Sequence, residues 1–139
     1  MSNVELHQQA HQAMSTQSAE AAAESFADDA TYTDEARGLA LHGKAEITGW
    51  LSGWKTAFSD ARIEDATYLD AGDWTIARFR GRGTNDGPFG DMPATGKPMD
   101  NAYCEFIRWR DGKAVEGAIY YDIASIMAQL GATPATTAS

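Results

Sequence analysis

Three segments in the first half of the chain repeat apolar residues at the spacing of an α-helix. The spacing predicts helices over residues 3–14, from Thr16 to about Ala27, and from about Lys44 to Phe58. The third helix is the clearest, because its apolar residues form one continuous face: Ile47, Trp50, Leu51, Trp54 and Phe58. Gly49 and Gly53 weaken this helix, which suggests that a neighbour packs close to its backbone there.

From Ala61 onward the alternation of apolar and polar residues changes to the period of a β-strand. The pattern predicts strands over 61–69 and 74–84, after a short strand over 30–33. A loop rich in glycine and proline follows at 83–97. Two further runs of β-branched and aromatic residues flank Asp111-Gly112, which is typical of a tight hairpin. Because only the helices can cover one face of such an antiparallel sheet, the pattern predicts an α+β fold.

The second run of the hairpin ends at Asp122, directly after Tyr120 and Tyr121. A short helix is predicted behind it, with Gly131 as its C-cap and an apolar stripe of Ile123, Ile126, Met127 and Leu130. Asp122 therefore has two interpretations that do not exclude each other. It is a favoured residue for the N-cap of this helix. It also stands where a lone acid can be held at the mouth of an apolar cavity.

Charge and composition exclude several classes of function. The net charge is −9 and the sequence pI is about 4.6, which is unfavourable for binding nucleic acid or an anionic membrane surface. Cys104 is the only cysteine, so an internal disulfide and a cysteine-based zinc site are excluded. The N-terminus lacks an apolar signal core, which favours a cytoplasmic protein. We expect one domain over residues 1–131 and a disordered tail over 132–139.

Two other groups of residues can carry chemistry. His7 and His11 lie at i and i+4 on the first helix and could share a metal, but no third ligand is evident, so we predict no metal site. Asp34 follows the first strand and is interpreted as a turn residue, with a general base as the alternative. Three arginines alternate along one face of a strand: Arg78, Arg80 and Arg82. They are interpreted as a solvated or ion-paired stripe, with a surface for an anionic substrate as the alternative.

Five segments resemble, in order and spacing, the motifs of the SnoaL-like polyketide cyclase family: TAFSDARI, GDWTIARFRGRGTNDGPFG, PATGKPM, FIRWRDGKAVEGAIYYD and IMAQLG. The resemblance covers roughly residues 20–131. It implies the cone-shaped α+β fold of the nuclear-transport-factor superfamily, which ketosteroid isomerases and limonene-epoxide hydrolases share. It also implies an intramolecular aldol ring closure that needs no metal and no organic cofactor.

The same resemblance assigns the catalytic acid/base to Asp122, which precedes the helix that ends in Gln129-Leu130-Gly131. A carboxylate can serve as base and then as acid if an apolar pocket raises its pKa. The expected substrate is a hydrophobic small molecule with a carbonyl group. A binding module without catalysis, or a related isomerase or dehydratase, is the alternative.

The expected pocket depends on the hairpin register. Tyr120 and Ala118 share the face of Asp122, and a bulged hairpin adds Phe106 and Arg108, whereas a plain two-residue turn adds Tyr103 and Glu105. The resemblance favours the bulge, because the histidine of the cyclases corresponds to Arg108. Four further residues complete the predicted substrate pocket: Trp50, Trp54, Tyr32 and Asp34. Under the bulged register the outer face is apolar and predicts a homodimer, through Ile107, Trp109, Ile119 and Tyr121.

Overall fold

The structure is a computed structural model and describes residues 1–132. The predicted tail therefore lies, apart from Ala132, outside the described residues. Within these residues, four helices are formed: α1 (Asn3–Thr16), α2 (Ala19–Ala23), α3 (Lys44–Ala57) and α4 (Ile123–Gln129). Six strands form one sheet: β1 (Phe26–Asp34), β2 (Leu39–His42), β3 (Arg62–Ala71), β4 (Trp74–Thr84), β5 (Pro98–Arg110) and β6 (Lys113–Tyr121). This confirms the predicted α+β class.

Polar caps set the limits of the first two helices. Ser2 and Glu5 form a capping box at the start of α1. The hydroxyl of Thr16 donates to the carbonyl of Gln12, so Thr16 closes α1 and does not begin the next helix. Ser18 caps α2 instead, by accepting from the amide of Ala21. The predicted second helix is therefore shorter than expected, and its last residues belong to β1.

The strand order across the sheet is β2-β1-β6-β5-β4-β3, and only the β1–β6 pair is parallel among the described strands. The segment that was expected to be irregular after Asp34 contains β2, which pairs with β1 from Thr31–His42 to Asp34–Leu39. Helices α1 and α3 cover one face of the sheet, α1 against β3 and β4, and α3 against β1 and β2. Within residues 1–132, no helix is long and apolar enough to cross a membrane.

The hairpin of β5 and β6 combines both of the turn types that were considered. Arg110 pairs with Lys113 across the two-residue turn, and Trp109 pairs with Ala114. The register then shifts, so that Arg108 pairs with Glu116 and Val115 is the extra residue. From this bulge to the end of β6, the side chains that face the helices are Gly117, Ile119 and Tyr121.

Candidate active site

A cavity of about 110 Å³ lies between the inner face of the sheet and helices α1 and α3. Most of its wall is apolar, and six aromatic side chains contribute to it: Phe26, Trp50, Trp54, Phe79, Tyr103 and Trp109. Three of its polar side chains are buried: His7, His11 and Glu105. A few convergent polar groups in an apolar cavity are the usual composition of a small-molecule site.

Glu105, on the inner face of β5, is the centre of this polar group. Its Oε1 lies 2.8 Å from Nε2 of His7 and 2.7 Å from Nε2 of His11. The two histidines are one turn apart on α1, and their spacing directs both rings to the same carboxylate oxygen. The hydroxyl of Tyr32, on β1, donates to Oε2. Three elements that are distant in sequence therefore meet at one carboxylate.

The second nitrogen of each histidine also has a partner. Nδ1 of His7 lies 2.8 Å from Oγ1 of Thr75, which accepts a hydrogen bond of 2.8 Å from the indole N–H of Trp109. Nδ1 of His11 lies 2.7 Å from the hydroxyl of Tyr68. Both partners are hydroxyls, which can donate or accept. Every ring nitrogen of the pair is thus hydrogen-bonded, which fixes the orientation of both rings.

The electrostatics favour a negative carboxylate. Burial raises the pKa of Glu105, but the hydrogen bonds with His11 and His7 outweigh it and hold this pKa well below its ordinary value. Burial lowers the pKa of His11, which keeps that ring neutral near pH 7. Burial and the charge of Glu105 raise the pKa of Tyr32, so its hydroxyl remains a donor. Glu105 is therefore an ionised acceptor in an apolar cavity.

Tyr103 adds a hydroxyl to the same inner face of β5. It lies two residues before Glu105 on the same face of β5, a separation of roughly 7 Å along a strand. Its ring stacks on Phe79 at 5.3 Å and lies against Gly81, where a Cβ would be only 2.5 Å from the ring. The hydroxyl donates to the sulfur of Met99 at 3.4 Å, a weak acceptor. Burial raises the pKa of Tyr103, so the group is a proton donor that a bound molecule can recruit.

Asp34 forms a separate buried cluster at the end of β1. It accepts from the backbone and the Nε of Arg37, from the indole of Trp50 at 3.0 Å and from the hydroxyl of Tyr121 at 2.7 Å. Three of these four bonds go to Oδ2 and one goes to Oδ1. The guanidinium of Arg37 lies 5.1 Å above the ring centre of Trp54. Asp34 thus fits the turn interpretation and anchors Arg37 beside the cavity wall.

A model of the SnoaL-like polyketide cyclase family matches residues 5–130. The chain belongs to this family. The comparison with curated proteins finds no match.

Solved structures show the same fold as this SnoaL-like chain. One is a protein from Pseudomonas putida KT2440 that is described as a polyketide cyclase. It is 20% identical, with a TM-score of 0.83 over 93% of this chain and 98% of that one. Another is a protein of ketosteroid isomerase-like fold from Catenulispora acidiphila, in complex with trimethylamine, 22% identical, with a TM-score of 0.81 over 96% of both chains. IdmH of Streptomyces antibioticus is 26% identical, with a TM-score of 0.74 over 91% of this chain and 96% of its own.

Asp122 does not lie in the cavity, where the resemblance to the cyclases placed it. Its carboxylate is exposed and caps α4, accepting from the amides of Ala124 at 2.9 Å and Ser125 at 3.3 Å. The expectation that it lines an apolar pocket is therefore wrong. Tyr121 points inward, and the alternation of the strand directs the next residue away from the cavity.

Phe106, Arg108, Ala118 and Tyr120 do share one face, but it is the outer face of the sheet. Their expected place in the pocket is therefore wrong. The residues expected outside, Ile107, Trp109, Ile119 and Tyr121, face the helices instead. The two faces of the hairpin were exchanged in the prediction, because the resemblance placed Asp122 in the pocket. The residues on the same face of β5 and β6 were therefore expected in the pocket too.

The remaining predicted residues lie inside the fold. Trp50 and Trp54 contribute to the cavity wall. Tyr32 does not line the cavity, but its hydroxyl donates to Glu105, which does. The sequence pattern places Glu105 on the face of Asp122 only under the plain two-residue turn, and it indicates no third ligand for His7 and His11. One feature of the sequence does indicate that Glu105 lies in the cavity. It is an acid among large apolar residues on one face of β5: Tyr103, Glu105, Ile107 and Trp109.

Proposed function

We propose that this SnoaL-like protein is an enzyme that transfers a proton at carbon in a small hydrophobic carbonyl compound. Glu105 acts as the base in this proposal, in place of Asp122, and Tyr103 donates to the carbonyl oxygen. The observation that carries the proposal is the pair of a buried, ionised carboxylate and a weakly bonded hydroxyl on one face of β5. Both side chains contribute to the wall of the same apolar cavity.

The steps follow from the two groups. Glu105 removes a proton from the carbon next to the carbonyl, and the hydroxyl of Tyr103 hydrogen-bonds to the enolate oxygen that forms. In a ring closure, the enolate carbon attacks a second carbonyl of the same molecule, and protonated Glu105 returns its proton to the new alkoxide. In an isomerisation, the proton returns to another carbon. Either way the protein ends in its starting state and no cofactor is required.

The hydrogen bonds around Glu105 restrict the substrate class. They stabilise the ionised form, and a carboxylate of low pKa is a weak base. The reaction is therefore favoured for carbon acids that lose a proton readily, such as 1,3-dicarbonyl compounds. The cavity is also smaller than the roughly 300–1,000 Å³ of typical ligand sites. A small molecule, or the reactive end of a larger one, fits this volume.

A binding module without catalysis is the second candidate function. It is favoured by the completeness of the hydrogen bonding, since both nitrogens of His7 and of His11 are already paired within the protein. An aromatic wall beside a carboxylate would suit a small alkylammonium cation. Trimethylammonium is the natural probe, because the Catenulispora protein of the same fold is in complex with trimethylamine.

Hydrogen–deuterium exchange separates the two candidates. A panel of cyclic and acyclic 1,3-diketones is incubated in D₂O with the purified protein and EDTA, and exchange at carbon is followed by NMR. The enzyme is supported by exchange that exceeds the buffer rate, saturates with substrate and is lost on heat denaturation. Saturable binding of trimethylammonium by calorimetry, with exchange at the buffer rate for the whole panel, would support the binding module and contradict the enzyme.

A homodimer remains part of the proposal, but through different residues from those first expected. One row of side chains crosses four strands on the outer face: Leu69, Ile76, Phe106 and Ala118. Tyr120 lies beside the row, 48% exposed, with its ring 5.8 Å from that of Phe106. A partly exposed apolar row of this length is typical of an interface. A second copy of the chain is the partner that we propose for it.

A further inference from the structure

His7, His11 and Glu105 converge in a way that the proton-transfer function does not require. Their ligand atoms all lie within 4.8 Å of one another, and all three side chains are buried. Two imidazoles and one carboxylate form a common ligand set for zinc and related divalent metals. We infer that this cluster is a binding site for a divalent metal ion of the zinc type.

The metal-free geometry is close to that of a three-ligand site. Neighbouring ligand atoms in a tetrahedral site with bonds of about 2.0–2.2 Å are roughly 3.3–3.6 Å apart. Oε1 of Glu105 lies 2.8 and 2.7 Å from the two Nε2 atoms. Each separation has to widen by less than about 1 Å to admit the ion. Small rotations of the side chains supply such a change.

Metal binding at Nε2 requires each ring to carry its proton on Nδ1, and the partners of the two Nδ1 atoms permit this. Because an ionised carboxylate can only accept, a neutral ring donates its Nε2–H to Glu105, and its Nδ1 accepts from the hydroxyl of Thr75 or Tyr68. When an ion replaces the two Nε2 protons, each ring carries its proton on Nδ1 and the same hydroxyls accept it. An N–H group in either place would have prevented this exchange. The hydroxyls then hold the rings as the outer partners of metal-bound histidines do.

The surroundings supply the other requirements of a metal site. Tyr32 donates to Oε2 of Glu105, which leaves Oε1 for the ion. All three ligands contribute to the cavity wall, so the fourth position opens into the cavity, where water or a small ligand can occupy it. A bound ion would engage the carboxylate that serves as base in the proposed reaction. That reaction is therefore expected of the metal-free protein, and the metal proposal does not depend on it.

Direct metal binding tests the inference. Chelator-treated full-length protein that carries Cys104→Ser, so that the single thiol cannot contribute, is titrated with Zn²⁺ by calorimetry and with Co²⁺ by visible absorption. One ion per chain is expected, with the intense d–d bands of tetrahedral cobalt. His11→Ala and His7→Ala should each weaken binding by more than about 100-fold, and Tyr68→Phe, which removes only an outer partner, by about 10–100-fold.

The matched control is His42→Ala, because His42 is exposed and is the third histidine of the chain. It should leave the affinity and the cobalt spectrum unchanged. A rise in melting temperature with Zn²⁺ in the parent and in the control, but not in His11→Ala, provides a second readout. The inference is overturned if the parent shows no saturable binding at micromolar metal, or if His11→Ala binds as tightly as the control.

Discussion

Nε2 of His11 and Oε1 of Glu105 lie 2.7 Å apart although 94 residues separate them in the sequence. The contact joins helix α1 to the inner face of β5, and His7 makes a parallel contact from the preceding turn. Both partners are buried, so a carboxylate that loses a donor stays in a mostly apolar environment. The pair therefore positions the proposed base and fixes α1 on the sheet at the same time.

Removing the His11 side chain should lower the free energy of unfolding. His11→Ala leaves the Glu105 carboxylate buried with one fewer donor, and breaking a buried pair in this way typically costs about 3–5 kcal/mol. Urea denaturation measures the loss in the free energy of unfolding. Exposed His42 is again the control, and His42→Ala should stay within about 0.5 kcal/mol of the parent. A cost of the same size for both variants would show that the contact contributes little.

Alkaline pH should destabilise the protein through Tyr68, which is half-buried on β3. Burial, with the charge of Glu105, raises the pKa of Tyr68 from 10.0 to about 12. The unfolded chain then releases this proton before the folded one, so the stabilisation is complete below pH 10 and is lost as the pH rises toward 12. Unfolding free energies at several pH values should fall over this interval, with a shallower slope for Tyr68→Phe. An equal slope in the variant would show that Tyr68 does not cause the loss of stability at alkaline pH.

Two glycines should respond to alanine in opposite directions. A Cβ at Gly117 would lie 2.6 Å from the ring of Tyr32 and 2.8 Å from Cδ1 of Ile107, so Gly117→Ala should cost about 1–3 kcal/mol. Gly49 lies within α3 with nothing within 4 Å of its Cβ position, and Gly49→Ala should stabilise by up to about 1 kcal/mol. The close neighbour that the sequence suggested for Gly49 is therefore absent. Denaturation of both variants checks the signs, and two changes of the same sign would contradict this account.

The outer face should determine the oligomeric state. Tyr120→Glu places a charge beside the apolar row without touching the cavity, so it should convert a dimer to a monomer at micromolar concentration while the fold persists. Light scattering measures the mass, and circular dichroism checks the fold. Leu39→Glu is the matched control, because Leu39 is also exposed but lies on the edge strand β2. A monomeric parent, or dimers that persist in Tyr120→Glu, would contradict the proposed interface.

The elements with strong local patterns were predictable from the sequence. The face of α3 with Ile47 and Trp54 was confirmed as buried, and the Asp111-Gly112 turn forms the hairpin as expected. Two of the three arginines on β4 are ion-paired, as one interpretation predicted: Arg80 lies 2.9 Å from Asp100, and Arg82 lies 2.8 Å from Asp65. Arg78 forms no ion pair within the described residues.

The site was harder to predict, because it depends on contacts between distant residues and on which face of the hairpin meets the helices. His7 and His11 showed the correct spacing, but their partner is a glutamate on β5 that no local pattern connects to α1. The bulge near Val115 decides which face of β6 meets the helices. Asp122 carried the signals of an N-cap and of a catalytic acid together, and its capping bonds now account for its position.

Exchange at carbon in paired variants tests the central claim most directly. Glu105→Gln removes the proposed proton acceptor, whereas Asp122→Asn changes the exposed carboxylate and retains an oxygen that can cap α4. Deuterium incorporation into the best 1,3-diketone is measured with EDTA for the parent and both variants, after circular dichroism has confirmed the fold. Tyr103→Phe, which leaves Glu105 in place, is a second test of the cavity, and it too should exchange more slowly than the parent. We expect Glu105→Gln to lower the rate by at least about 100-fold and Asp122→Asn to leave it unchanged. The reverse result, with the rate lost in Asp122→Asn and kept in Glu105→Gln, would contradict the assignment of the reaction to the inner cavity.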